Sequence, residues 1–404
     1  LPHLILLPSM RAPLLALAVL LCVGIIADAY IYVQTRRRCQ SPLWSRLTLW
    51  SSIALVALMV VAMCLPARFG SEQTLAIKMW TLFAWLSVYA SKYVGVIVDL
   101  IASAPRLFRR DRLHWLTKAG IGLSAILFAA MWWGALINRY RIDVRHVEVP
   151  VENLPPAFDG MTIAQFSDLH TGTFGSDTTF VADLVDRINA LHADVIVFTG
   201  DIVNRRSDEM QPFIGPLSSL DAPMGVYAIL GNHDYGDYLD WPSPARKADN
   251  MQRLYDLYRH TPMRLLLNET EWLRRGNDSI ALIGVENIGD PPFTIYGSLF
   301  RAYPRLSDSN SKILLTHNPQ HWVDSIAATP DANVALTLSG HTHAMQIELD
   351  GISPAAWRYP TWGGLYSDST GSRHLYVNIG AGTVGIPMRM GATPEITLIK
   401  LRSR

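Results

Sequence analysis

Between residues 160 and 345, side chains able to bind a cation recur where apolar runs end. "IAQFSDLH" closes on Asp168 and His170, and "VIVFTGD" on Asp201. "VYAILGNHD" closes on Asn232, His233 and Asp234, "ILLTHNP" on His317, and "ALTLSGHTH" on His341 and His343. One histidine at such a place is usually structural. Five strand ends that each add carboxylate, amide or imidazole groups beside a buried run need compensating charge, because charge drawn against a core edge is costly unless paired. Two divalent cations would supply it. Seven of these residues can act as ligands, and a carboxylate with two oxygens can bridge metals ~3.5–4 Å apart, the spacing of a two-metal hydrolytic site. Mixed oxygen and nitrogen donors suit Mn, Fe or Zn better than Ca. The three cysteines, Cys22, Cys39 and Cys64, all precede this region, so no thiolate site is available to it.

The runs that position these groups read as α/β. Strands are expected in "MTIAQFS", "DVIVFTG", "GVYAILG", "SIALIGVE", "KILLTH", "NVALTLSG", "HLYVNIG" and "EITLIKL". Their continuous apolar character predicts burial on both faces. "RIDVRHVEVPV" alternates instead, as a half-exposed strand does. Helices are expected at Thr179–Ala190, Ala245–Arg259 and His321–Ala327. The carboxyl ends of strands in such sheets are where sites form. On a strand, His341 and His343 would point to the same side, and Gly340 suits a tight exit.

The first third has a different character. Mean hydropathy over 404 residues is +0.17, and the excess lies here. Apolar segments at 12–33, 49–65, 75–102 and 119–137 can each cross a hydrocarbon core of ~30 Å. The link holding Arg36, Arg37, Arg38 and Arg46 and the link holding Arg106, Arg109, Arg110, Arg112 and Lys118 are strongly basic. The intervening link has only Arg68. Basic loops face the cytoplasm, which would leave both termini outside. A cleaved signal peptide ending at Ala27-Asp28-Ala29 is the rival reading, and the charge pattern opposes it. Asp28 and Asp99 fall near cytoplasmic span ends, and Lys92 is expected to pair with one of them or to snorkel. We therefore divide the chain into a transmembrane region, 1–140, a linker and first strand, 141–159, and a catalytic domain, 160–404. With 35 Lys+Arg against 34 Asp+Glu, nothing suggests nucleic-acid binding.

In order, "SDLH", "TGDIVN", "GNHD", "THN" and "SGHTH" resemble the motifs of the calcineurin-like metallophosphoesterases, in their bacterial branch with an N-terminal membrane region. The resemblance covers about Gly160 to Leu401. It implies a β-sandwich flanked by helices, and assigns Asp168, His170 and His343 to one metal and Asn232, His317 and His341 to the other, with Asp201 bridging. It also implies a metal-bridging hydroxide as nucleophile, His233 as the group facing the phosphate, and Asp234 orienting the His233 ring. Asn204 and Ala344 depart from the usual Asp and Gly, and neither is a ligand position. Arg205, Arg206, Tyr235 and Arg389 are candidates for substrate contact, with a fold role slightly favoured. His321 and Trp322 are expected to begin a helix on the core. The implied activity is hydrolysis of a phosphomonoester or phosphodiester by an extracytoplasmic domain anchored in the cytoplasmic membrane. The four spans favour a lipid or lipid-linked substrate. Alternatives are pyrophosphate hydrolysis of a nucleotide-linked acylated sugar and a non-catalytic metal-binding sensor. The oligomeric state is not readable.

Overall fold

The computed structural model of the protein describes residues 8–39, 41–65, 72–289 and 294–404. Arg68 and residues 290–293 of the loop expected to shape the substrate pocket lie outside the described residues. The chain forms two compact units that meet between Trp133 and Gly134.

The first unit is helical. Helices α1 (Pro8–Cys39), α2 (Pro42–Cys64), α3 (Glu72–Ser103) and α4 (His114–Leu136) follow one another, and all four include a stretch long and apolar enough to cross a membrane. The helices outrun the apolar windows because their ends carry helix-compatible polar residues. Pro42, for example, starts α2 in the first turn, where its missing N–H costs nothing. The buried charges are paired. Lys92 Nζ lies 2.6 Å from Asp28 Oδ1, and the Tyr89 hydroxyl donates to Asp28 at 2.6 Å. Asp99 is met by Arg38 and Arg112, each at 2.6 Å, and by the hydroxyls of Tyr30 at 2.7 Å and Thr117 at 2.8 Å.

The second unit is a two-sheet sandwich. Its strands are β1 (Asp143–Val151), β2 (Thr162–Phe166), β3 (Val195–Phe198), β4 (Val226–Ala228), β5 (Met263–Leu265), β6 (Glu269–Arg275), β7 (Asp278–Gly284), β8 (Lys312–Leu315), β9 (Leu336–Ser339), β10 (Gly364–Ser367), β11 (His374–Val377) and β12 (Glu395–Ser403). One sheet has the order β1-β12-β2-β3-β4-β5 and the other β10-β11-β9-β8-β7-β6. Helices α5 (Thr179–Ala190), α6 (Ile214–Leu217), α7 (Pro244–Tyr258) and α8 (Leu299–Ala302) complete the unit, with a π-helical turn at Trp322–Ala327.

The continuous apolar runs divide by parity. On β3, Val195 and Val197 enter the core between the sheets, while Ile196 and Phe198 enter the core that also holds Leu184, Ile188, Leu254 and Leu257 of α5 and α7. On β7, Ile280 and Leu282 face the inter-sheet core, and Ala281 and Ile283 face a third core containing Trp322 and Ile326. Two buried faces require apolar residues at both parities, which explains the absence of alternation. β2, β3 and β4 are mutually parallel, as are β7, β8, β9 and β11. Parallel strands deliver their carboxyl ends to one edge.

Candidate metal centre

That edge gathers the seven expected ligands. His170 Nε2 lies 3.0 Å from His343 Nε2, which is 3.2 Å from Asp168 Oδ1. His317 Nε2 lies 3.0 Å from Asn232 Oδ1 and 3.3 Å from His341 Nδ1. Asp201 Oδ2 stands between the two groups, 3.6 Å from His170 Nε2 and 3.2 Å from His317 Nε2. Asp168, His170 and His343 form one buried set able to hold a metal ion, and Asp168, Asp201 and His317 form another.

The donor chemistry fits a cation. His317 Nδ1 donates to the carbonyl of Thr199 at 2.8 Å, which turns its Nε2 toward the cluster. Burial pushes His341 down to about 4, and His170 and His343 also below their usual range, which keeps these rings neutral. Burial alone would lower His317 too, but the carboxylates of Asp201 and Asp168 outweigh it and raise the ring to about 9. Burial opposes ionisation of Asp168 and Asp201, yet the facing imidazoles hold both well below the carboxylate range. Ionised carboxylates and the neutral imidazoles of His170, His341 and His343 are the forms that bind a metal, and His317 would give up its Nε2 proton to a cation there.

The backbone is shaped to bring them there. Asp168, His170, Asp201, His341 and His343 all have positive φ, from 47° to 78°, and the left-handed run continues through Gln346. Such residues cost of order 1–3 kcal/mol each and persist where the surroundings over-determine them. Gly231 permits a close approach, since a Cβ there would lie 2.2 Å from Asp201 Oδ1.

His233 is half-buried beside this cluster, its ring edge-on to His170 with centroids 4.8 Å apart. Its Nδ1 donates to the backbone carbonyl of Asn204 at 2.7 Å. The expectation for Asp234 is therefore corrected. Its carboxylate does not orient the His233 ring but accepts from the backbone N–H groups of Asp201, Ile202, Val203 and Gly231 at 2.8–3.2 Å. It is fully buried, and burial together with the Asp201 carboxylate pushes it up to about 7 against those N–H groups. Asp234 ties the loop after β3 to the loop after β4, and so acts on ligand position.

Other residues take fold roles. Arg389 is fully buried and donates to the carbonyls of Gly382, Ala392 and Ile379, with Nη2 also 3.1 Å from His343 Nδ1. Tyr235 is buried and stacks on Tyr296 at 3.7 Å. Arg205 is buried, and Arg206 pairs with Asp208 at 3.2 Å. His321 and Trp322 are buried in the core as expected. Three residues at the centre escaped sequence reasoning. Tyr238 stacks on His233 at 4.2 Å, and its hydroxyl oxygen accepts from Asn232 Nδ2 at 2.8 Å. The Tyr359 hydroxyl lies 2.9 Å from His341 Nε2. The Glu209 carboxylate accepts from the N–H groups of Asn204, Arg205 and Arg206 at 2.5–3.1 Å, fixing the carbonyl that holds His233. No spacing signal marks these positions, since Tyr238 and Tyr359 act from loops and Glu209 from a short 3-10 turn, Ser207–Phe213.

A sandwich with this donor set at one edge defines a metal-dependent hydrolase. Residues 161–345 match the family model for the calcineurin-like phosphoesterases, and residues 10–139 match that of a probable calcineurin-like phosphoesterase transmembrane domain. A Bacillus subtilis metallophosphoesterase, YkuE, is 36% identical over 275 residues, covering 66% of this chain and 88% of that protein. A bovine transmembrane protein with a metallophosphoesterase domain is 34% identical over 267 residues, covering 64% of this chain, and the match spans 57% of the bovine length. The UDP-2,3-diacylglucosamine pyrophosphatase LpxG of Chlamydia trachomatis is 30% identical over 335 residues, covering 69% of this chain and 95% of LpxG. The chain belongs to the calcineurin-like metallophosphoesterases. It is a membrane protein and a metal-dependent phosphoric ester hydrolase.

Proposed function

We propose that the centre holds two divalent cations, Mn, Fe or Zn, and hydrolyses a phosphomonoester or phosphodiester. Asp168, His170 and His343 hold one, Asn232, His317 and His341 the other, and Asp201 reaches both. The observation that carries this reading is the position of Asp201 Oδ2 within 3.6 Å of ring nitrogens from each group. Divalent cations supply Lewis acidity toward phosphoryl oxygens and lower the pKa of water. The protein supplies the rest. With Nδ1 committed to Asn204, His233 can present Nε2 to an ester oxygen and protonate the leaving group. Asp234 and Glu209 hold the loops in place, and Tyr238 keeps the His233 ring from rotating.

The chain reads as a membrane region, 1–140, joined through 141–159, which contains β1, to a catalytic domain, 160–404. The basic links support a domain outside the cytoplasm, in the cytoplasmic membrane. Four spans favour a lipidic ester. The likeness to LpxG favours a second reading, cleavage of a pyrophosphate in a nucleotide-linked acylated sugar. That substrate requires cytoplasmic access, which the charge pattern opposes. The test is hydrolysis of bis(p-nitrophenyl) phosphate, p-nitrophenyl phosphate and a UDP-linked diacyl sugar by the full chain in detergent. Metal is stripped and Mn²⁺, Zn²⁺ or Fe²⁺ returned. Turnover restored by metal in the wild type but not in Asp201→Asn supports the reading. A folded, metal-loaded protein that cleaves none of the three refutes it.

A further inference from the structure

The segment following the His341–His343 turn is apolar where a water-facing surface is ordinarily polar. Among the described residues of 141–404, seven large apolar side chains are exposed, and four of them, Met345, Leu349, Ile352 and Trp357, lie within one short stretch. Single exposed apolar residues are ordinary, whereas clustered ones mark a contact surface. Leu349 is 79% exposed, Ile352 75% and Trp357 91%.

The stretch is a built hairpin. Leu349 and Ile352 exchange backbone hydrogen bonds at 2.9 and 3.0 Å. Asp350 and Gly351 between them have φ of 51° and 76°, the left-handed pair of a two-residue type I′ turn. Directly opposed residues place their side chains on the same face, so Leu349 and Ile352 stand together. Trp357 ends the short helical turn Pro354–Trp357, which Ser353 caps. The Ser353 hydroxyl also donates to the Ala344 carbonyl at 2.6 Å. The base is fixed by Glu348 N–H to Met390 O at 2.9 Å and Met390 N–H to Gln346 O at 2.8 Å. Both ends reach the metal centre, through His343 on one side and through Tyr359 on the other.

We propose that Met345–Trp357 is an interfacial insertion element that seats the metal centre against the surface of a phospholipid bilayer. Chain length argues for a bilayer rather than a protein as the occupant. Only residues 137–142 separate the end of α4 from the start of β1. Even fully extended, six residues span about 20 Å, so this unit stays beside the membrane that α4 crosses. Tryptophan with branched aliphatic neighbours is the chemistry of the headgroup boundary. Charged Asp350 at the tip of the turn and Arg358 just after Trp357 limit the depth to that boundary. The inference rests on the membrane spans and the hairpin, not on the ester that is cleaved, so its failure leaves the hydrolase reading intact.

The test uses the full chain with Cys22→Ser, Cys39→Ser and Cys64→Ser. One new cysteine is introduced per variant, Leu349→Cys or Ile352→Cys, with Ser309→Cys as comparator. Ser309 is exposed and precedes β8, at the sheet edge opposite His317. Each variant is labelled with an environment-sensitive nitrobenzoxadiazole dye and reconstituted into phosphatidylcholine vesicles, with or without lipid bearing an acyl-chain nitroxide. The expected result is blue-shifted emission at 349 and 352 that is lost on adding the nitroxide lipid, with neither effect at 309. Equal water exposure at all three positions would overturn the proposal. So would a blue shift that nitroxide lipid leaves untouched, since another copy of the chain or another protein would then cover the hairpin.

Discussion

The helical unit and the metal-centre edge of the sandwich bury charge in opposite ways. Among the transmembrane helices each buried carboxylate meets a cation of its own chain, Asp28 with Lys92 and Asp99 with Arg38 and Arg112. At the sandwich edge Asp168 and Asp201 are more deeply buried; each accepts one backbone N–H, from His341 and His233, and otherwise faces imidazole nitrogens. Asp234, also at 0% exposure, is satisfied by backbone N–H groups instead. Burial of a charge is therefore no sign of function by itself. What separates the two places is whether the chain supplies the counter-charge or leaves converging lone pairs for a metal to meet.

The sharpest way to break this contrast is Asp201→Asn, which removes the charge shared by both ligand groups. Metal-dependent hydrolysis is expected to fall by about 10³-fold, the scale of losing a preorganised electrostatic group. Steady-state kinetics with metal analysis of the purified protein would check it, and near-normal activity would remove Asp201 from the proposed bridge. In the helical unit the matching change is Lys92→Met, which strands Asp28. Breaking a buried pair from one side is expected to destabilise that unit by about 3 kcal/mol, and adding Asp28→Asn should recover most of it. Thermal unfolding in detergent would show this, and additive losses in the double variant would deny the pairing.

His233→Asn should lower kcat by about 10²-fold while leaving metal content unchanged, as fits a proton donor that is not a ligand. Loss of metal in that variant would reassign the ring to coordination. Asp234→Asn should act more gently and through the ligands, weakening metal affinity by about 10-fold. The amide presents N–H groups to backbone donors that the carboxylate accepts from, so the loops after β3 and β4 shift. Isothermal titration of the stripped protein would measure this, and a loss in kcat with metal affinity intact would restore a direct role for Asp234 beside His233.

Much of this was legible in the sequence because the sandwich buries both faces of its central strands. β2, β3, β4, β7, β8, β9, β11 and β12 announce themselves as apolar runs, and the candidate ligands follow the ends of β2, β3, β4, β8 and β9. The strands left unread are β5, β6 and β10, which lie at or beside sheet edges where burial is incomplete. β6 reads "ETEWLRR", charged because one side meets water, and β5 and β10 have 3 and 4 residues. The candidate ligands are readable from motif order, but the side chains that support them are not. Tyr238, Tyr359 and Glu209 act from loops or a short 3-10 turn whose course depends on tertiary contacts. The resemblance assigns Asp234 to the ring of its neighbour His233, whereas the two side chains point to different partners. The left-handed backbone at five of the ligands is likewise invisible to propensity, since it is held against local preference by the surrounding fold.

The short connection between α4 and β1 has a kinetic consequence. A catalytic unit held beside a bilayer meets a membrane-borne ester by lateral diffusion, so its rate follows the ester's mole fraction among lipids and not its amount per volume. Diluting such a substrate with inert phospholipid would slow turnover at constant bulk concentration. A water-soluble ester would feel no such dilution, and the two kinds of substrate would obey different rate laws at one metal centre.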